Sequence, residues 1–417
     1  MTKIIWLLAA VLATVSARAA ETYDYPYKNA DVASLTAFIM KAQAKDPTYK
    51  TMEVSSIAGR DKTFLVEGRG NFKFHFYPQN KSAPLIFVIA DIGGSSVSGY
   101  MLYESELLQQ NGYNVITISS PFFWNFIISS SQTGLPGITD EDARDMYRSM
   151  QLALEKVKVE HKQEITKIGV LGLGLGGLDA AHISVLDKRE KKLNISRYLL
   201  INPVVNLLES ITEFEHRAAL SKAMNPSRVQ QIKEKAFNFA YEALTSKSNI
   251  NDPEYFLNLD KKFVLAENEY KFLSGGLLHM GIGDTIFASQ LVNDRGVLKS
   301  RLDRWHWDSR HDEVDAMGFD GYLSQLIVPE FSKKYPKLID IAKHANFNIV
   351  RQDIIENENV FLMHNADDFL VTADQLDYLK NIFGQARTRI YPAGGHLGNL
   401  WFAPNKADVL NVFSVLK

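Results

Sequence analysis

The chain has no cysteine. Disulfides, thiol nucleophiles, thiolate metal sites and a lipidated N-terminal cysteine are therefore all excluded. Export is not excluded, because 417 residues can bury an adequate core without cross-links. An excess of one charge is missing too: 46 Lys and Arg face 48 Asp and Glu, a net charge of −2. A nucleic-acid partner would call for a concentrated basic face. The one short charged run, Lys188-Arg-Glu-Lys-Lys192, reads as a solvated helix end. There are no internal repeats and no low-complexity linker. Beyond the N-terminus, no apolar run approaches the roughly 20 residues that a membrane-spanning helix needs.

The N-terminus itself is patterned. Lys3 supplies a positive start, Ile4 to Ser16 is apolar, and Ala17-Arg18-Ala19 places small residues before a cut after Ala19. This is the pattern of a secretory signal peptide over residues 1–19. It implies a mature protein that is periplasmic or secreted, with no stable membrane span once the signal is removed.

The mature chain begins with a helix-leaning stretch from about Ala30 to Ala44. Alternating runs at Phe64 to Glu67 and Phe72 to Tyr77 suggest a hairpin. Pro84 to Ala90 is a continuous apolar run, suited to a strand covered on both faces. It ends in the small-residue loop Asp91-Ile-Gly-Gly-Ser-Ser96. A helix over Gly99 to Gln110, a strand over Asn114 to Ser119 and an amphipathic helix from Thr139 to about His161 follow. Strands at Lys167 to Leu173 and Tyr198 to Pro203 continue the alternation. From about Val205 to Ile349 the pattern is mainly helical. A strand then returns at Asn359 to His364, a helix at Thr372 to Phe383, a last strand at Arg387 to Tyr391 and a final helix to Lys417. The expectation is an α/β fold with a mostly parallel sheet. Residues 20–204 and 351–417 form its two parts. A helical cap over 205–350, too long for an ordinary loop, is inserted before the last two strands.

The most informative stretch is Ile168-Gly-Val-Leu-Gly-Leu-Gly-Leu-Gly-Gly177, a buried strand entering a glycine-rich turn and a helix. Gly172, Gly174 and Gly177 satisfy the dinucleotide pattern G-x-G-x-x-G. That reading asks for an acid at the end of the next strand, to hold a ribose hydroxyl. The strand ends Ile201-Asn-Pro203 instead, so no nicotinamide, flavin or other cofactor is expected. Gly172, Gly174 and Gly176 also satisfy the nucleophile elbow G-x-S-x-G, with glycine in place of the serine. This second reading asks for a loop of backbone donors after an early strand, and Asp91 to Gly94 is such a loop. It asks for an acid after a late strand, and Asn365-Ala-Asp-Asp368 follows one. It asks for a histidine after the last strand, and Gly394-Gly-His-Leu-Gly398 supplies it.

In the order and spacing of these segments the chain resembles the α/β-hydrolase superfamily from about Pro84 to the C-terminus. The resemblance implies Asp368 as the acid, with Asp367 second, and His396 as the base. It implies the amides of Ile92 and Leu175 as the oxyanion hole. The departure is Gly174 at the nucleophile position. Glycine takes the sharp turn without strain but removes the hydroxyl, and the superfamily includes members that lack a nucleophile.

Two functions follow from the residues. One is a non-catalytic or atypical hydrolase-like protein that binds a small apolar or ester-like ligand, lipids included. The other is an active esterase-like or lipase-like hydrolase. It would use water activated by His396 and Asp368, or Ser95 or Ser96 as a substitute nucleophile; the plain reading of those serines is turn and cap residues. In the cap, His306, Asp308, His311 and Asp312 lie close in sequence, but the five-residue step from His306 to His311 misses the helical spacing of zinc sites. They read as polar cap surface, and no metal is expected. Trp305 and Trp307 flank His306.

Overall fold

The computed structural model describes residues 23–42, 49–60, 68–162, 164–245, 264–303 and 305–417, with only the backbone of 277–280. The signal-peptide pattern and the run Phe64 to Glu67 lie outside the described residues. The strands are β1 (Lys50–Ser55), β2 (Asn71–Tyr77), β3 (Ala83–Ile89), β4 (Asn114–Ile118), β5 (Ile165–Leu173), β6 (Ile195–Ile201), β7 (Val360–Asn365) and β8 (Thr388–Tyr391). They form one sheet in the order β1-β2-β4-β3-β5-β6-β7-β8. β1 and β2 are antiparallel, β2 meets β4 antiparallel, and every pairing from β4 to β8 is parallel. The antiparallel partner of Phe72 to Tyr77 is β1, with Met52 opposite Phe74.

The helices are α1 (Ala30–Phe38), α2 (Gly99–Gln110), α3 (Trp124–Ser129), α4 (Thr139–Glu160), α5 (Leu175–Glu190), α6 (Leu207–Ala219), α7 (Pro226–Thr245), α8 (Glu267–Val292), α9 (Trp307–Tyr322), α10 (Val328–Phe331), α11 (Leu338–Lys343), α12 (Arg351–Glu356), α13 (Ala373–Phe383) and α14 (Ala403–Phe413). α1 stops well short of Ala44. Ile39 leaves helical geometry, and the Met40 carbonyl packs so tightly on Gly99 that no Cβ fits there.

Alternation within the strands explains the layering. Leu85, Phe87 and Ile89 of β3 join one apolar cluster with Met146 of α4, Leu178 of α5 and the cap. Ile86 and Val88 join another with Met101 of α2, Val409 and Phe413 of α14, and the N-terminal segment. Successive side chains of a strand point to opposite faces, so a continuous apolar run is what a sheet wrapped on both sides requires. All seven residues of β3 are buried. The acidic first turn of α4, Asp140 to Asp142, suits the positive end of that helix. Thr372 and Gln375 cap α13 reciprocally.

Helices α6 to α12 stand between β6 and β7 in the chain. α8 is the longest of them and packs on α6, α9 and α3. Its backbone also comes down onto the loop after β3, where Gly281 meets Gly93. Asp140 clips the returning chain to the core, accepting from His182 at 2.9 Å and from His344 at 2.6 Å.

Candidate active site

The parallel strands deliver their C-terminal ends to one edge, and the segments after β3, β5, β7 and β8 build the site. β5 ends at Leu173, and the next residue, Gly174 (φ 54°, ψ −119°), makes the sharp turn into α5. Left-handed geometry of this kind strains any residue with a side chain, and glycine adopts it freely. The space a side chain would need at this position is already taken. A Cβ on Gly174 would stand 2.0 Å from Asp91 Oδ1 and 2.3 Å from its Cγ. The carboxylate of Asp91, reaching over from the end of β3, sits in the serine's seat.

Its two oxygens are both engaged. The Leu175 N–H, one of the two expected oxyanion donors, donates to Asp91 Oδ1 at 2.8 Å. His396 Nε2 lies 3.0 Å from Asp91 Oδ2. On the other side of the ring, His396 Nδ1 lies 2.8 Å from Asp368 Oδ2. The structure thus joins Asp368 to His396 and adds a third member, Asp91, to which sequence reading assigned only a backbone role. Asp368 is held further by Asn202 Nδ2 at 2.7 Å and by the Leu370 N–H at 3.0 Å.

The three groups are buried: Asp91, Asp368 and His396 are 5%, 3% and 5% exposed. Burial alone would pull His396 down, but the Asp368 and Asp91 carboxylates outweigh it and raise the imidazole to about 10. Burial likewise opposes ionisation of Asp368, and the charge and hydrogen bond of His396 override it and lower its carboxyl. At neutral pH the site is an imidazolium donating to a carboxylate on each side. A protonated imidazole with both nitrogens committed is not a general base. With Leu175 N–H also occupied, the seat, the base and an oxyanion donor are all satisfied internally.

The loop carrying His396 is fixed from two sides. Asp367, the second-choice acid, accepts the amides of Gly394 at 3.2 Å and Gly395 at 2.8 Å, so it shapes the loop rather than touching the imidazole. Asn365 Nδ2 donates to the Gly395 carbonyl at 2.8 Å. The N-terminal segment lies across the other side. Tyr23 donates to Ala393 O at 2.7 Å, Tyr25 to Gly398 O at 3.0 Å, and Thr36 to Gly398 O at 2.8 Å. Ser34 Oγ accepts the His396 N–H at 2.7 Å. Gly395 (φ 56°) permits this contact, since a Cβ there would stand 2.2 Å from Ala30 O. α1 is tied to the cap in turn: Asp31 pairs with Arg217 and accepts from Ser274 at 2.7 Å. The Arg217 guanidinium lies 3.7 Å from the centre of the Phe369 ring, which neighbours His396.

The remaining candidates are placed elsewhere. Ser95 Oγ accepts the Val97 N–H, which is turn chemistry. Ser96 Oγ is 3.0 Å from His75 Nδ1 on β2, and its N–H donates to Ser119. Neither serine is brought to His396. Ile92 follows Asp91 in the same loop and is largely buried. In the cap, His306 pairs with Asp303, His311 stacks on Phe287, and Trp307 packs edge-on to Phe287. Trp305 is exposed. Among the described residues no group of three or more His, Asp or Glu is arranged to hold a metal, and no helix is long and apolar enough to cross a membrane.

The sequence carried one signal for Asp91. A glycine in the nucleophile seat leaves a buried hole at the strand edge. The nearest polar side chain the topology can supply is an acid ending the adjacent strand. Asn202 and the N-terminal contacts carried no such signal.

A cavity opens away from this centre. About 970 Å³ opens between α1 and the cap helices α6 to α9, lined among others by Leu35, Ile39, Phe239, Ala240 and Phe272. α1 partitions the two: Ser34 faces His396 while Leu35 and Ile39 face the cavity.

No family model matches the chain, and no curated protein matches it either. Solved structures with a similar course of chain include an esterase of Pyrococcus furiosus (12% identity over 88% of this chain and 91% of that one, TM-score 0.39). An α/β hydrolase of a Penicillium species matches at 12% identity, over 88% of this chain and 97% of that one, with a TM-score of 0.43. A thioesterase domain from the curacin biosynthetic pathway matches at 11%, over 88% and 100%, with a TM-score of 0.37. The α/β-hydrolase fold is read from the strand order and from the succession elbow, acid, histidine.

Proposed function

With the α/β-hydrolase fold in place and a carboxylate in the serine's seat, we propose that this chain is an exported, hydrolase-like protein without acyl-serine catalysis. Its role is to hold a small apolar or ester-like ligand beneath the helical cap. The observation that carries the reading is the double engagement of Asp91, to Leu175 N–H and to His396. Acyl transfer through a serine needs a hydroxyl, a neutral base beside it and open oxyanion donors. Here one internal carboxylate fills the hydroxyl's seat, pairs with the base and occupies one of the two expected donors, the Leu175 N–H. Export rests on Lys3, the apolar run Ile4 to Ser16 and the small residues at 17 and 19, which point to the periplasm or the outside of the cell.

The alternative, a hydrolase working through water on His396 and Asp368 or through Ser95 or Ser96, has the geometry against it. Both imidazole nitrogens face carboxylates, and the serines are bound into their own loop and to β2. The test is turnover of short- and long-chain esters by the purified mature chain, beside His396→Ala. No turnover above buffer is expected from either. Turnover by the natural chain that collapses in His396→Ala would overturn the reading.

A further inference from the structure

We propose that the cavity between α1 and the cap binds the tail of a single-chain amphiphile with an anionic head group, and that Lys222 and Lys233 hold the head. This rests on the ligand-binding reading above and gives it a place and a chemistry.

The volume, about 970 Å³, is at the upper end of the range for small-molecule sites, roughly 300–1,000 Å³. What distinguishes it is the lining. Leu35, Ile39, Phe239, Ala240, Phe272 and Leu273 supply apolar surface from α1, α7 and α8. The one hydroxyl contributed by α1, Thr36 Oγ1, is already committed to Ala33 O and Gly398 O. A site that orients a compact polar ligand converges several polar groups on it. The walls from α1, α7 and α8 offer mainly apolar contact area, while the acids stand on α6 and α9 and the lysines on the turn after α6 and on α7; the apolar part suits a long hydrocarbon tail.

The rim decides the head. Phe237 and Phe38 border the cavity yet are 71% and 38% exposed, so they mark its mouth. Lys222 and Lys233 also border it, from the turn after α6 and from α7, and neither has a partner among the described residues. The acids of the lining stand on α6 and α9. Glu215 is engaged by the Phe319 N–H, and Asp315 and Asp320 lie along α9. A carboxylate or phosphate head therefore finds its cations on the α7 side of the mouth. Nothing in the lining belongs to the Asp91–His396–Asp368 centre, so the tail is held without reaching the hydrolase-type site.

The experiment is calorimetric titration of the mature chain, below micelle-forming concentrations, with hexadecanoate, hexadecyl phosphate and hexadecyltrimethylammonium. Ala240→Trp and Ala219→Trp fill the cavity from different walls, and Lys222→Glu with Lys233→Glu reverses the rim; thermal melts confirm that each variant folds. The two anionic ligands are expected to bind, at least tenfold tighter than the cation. Each tryptophan should weaken them at least tenfold, and the lysine reversal should abolish the preference for anions. Equal binding of both anions shows that charge alone is read, whereas a preference for one names the head group; both support the proposal. Anions that bind undiminished by either tryptophan, or a preference for the cation, would overturn it and leave the proposed function standing. Absence of all binding overturns it as well. The proposed function itself falls only to ester turnover in its own assay.

Discussion

Restoring the missing serine alone should fail. In Gly174→Ser the new Cβ arrives 2.0 Å from Asp91 Oδ1 and 2.3 Å from Cγ, well inside van der Waals contact, so the carboxylate must leave. Leaving breaks its bonds to His396 and to the Leu175 N–H. Splitting a buried charge pair of this kind costs about 3–5 kcal/mol. The backbone at φ 54°, ψ −119° adds about 1–3 kcal/mol of strain for a residue with a side chain. The total, about 4–8 kcal/mol, is comparable to the whole stability of an ordinary domain, about 5–15 kcal/mol. The double variant Asp91→Ala with Gly174→Ser removes the collision and frees the Leu175 N–H. His396 then faces a hydroxyl with Asp368 still behind it; the Asp91 bonds are lost here too, but no displaced carboxylate is left buried without a partner. The assay is labelling by a small fluorophosphonate, mapped by mass spectrometry, alongside thermal melts. The natural chain and Gly174→Ser should not label, and the single variant should melt far below both others. The double variant should label at the introduced hydroxyl. Equal labelling of single and double variants would refute the claim that Asp91 occupies the seat. A well-folded double variant that does not label would refute the claim that a competent base and donor stand around it.

Three further outcomes follow from the same geometry. His396 is raised to about 10 in the folded chain against about 6.5 in an unfolded one. The folded state therefore binds the extra proton, and its contribution is complete below about pH 6.5 and lost as the pH climbs through about 10. It amounts to no more than about 5 kcal/mol. Melting temperature should fall over that window in the natural chain and stay flatter in His396→Gln; a natural chain that melts identically at pH 6.5 and 10 contradicts the charge state. In Asp91→Gly the vacated position retains the His396 and Leu175 donors, so millimolar acetate should raise the melting temperature where equal chloride does not. A response to acetate of the same size in the natural chain would show that the effect is not at this site. Ser34→Ala leaves the buried His396 N–H without its acceptor, a loss of about 1–3 kcal/mol; unchanged denaturant unfolding would mean that α1 does not hold the loop.

The sheet was legible because its strands announce themselves. Pro84 to Ala90 is apolar without interruption, Asn114 to Ser119 and Tyr198 to Pro203 are built around apolar stretches, and the observed strands overlap all three. The order elbow, acid, histidine was legible because chain order survives folding, and Asp368 reached His396 as that order requires. The choice between Asp367 and Asp368 depended on a turn in which adjacent carboxylates point to different partners, one to loop amides and one to the imidazole. The occupant of the seat was not legible from the motif, because Asp91 and Gly174 are 83 positions apart and meet only when β3 and β5 pair. The N-terminal contacts were hidden for the same reason. A hydrogen bond from Tyr23 to Ala393 spans 370 positions, and nothing periodic in either segment records it.

Those N-terminal contacts set the order in which the molecule can be finished. The first described residues, Tyr23 to Thr36, make bonds that exist only after Ala393 to Gly398 have been synthesised. Until then α1 has no loop to lie on, and the cap lacks its tie to Asp31. Long-range closure of this kind comes late and slowly. A nascent chain therefore remains incompletely closed until the span from β7 onward has emerged. The native state locks when residues 23–36 meet the loop that follows β8.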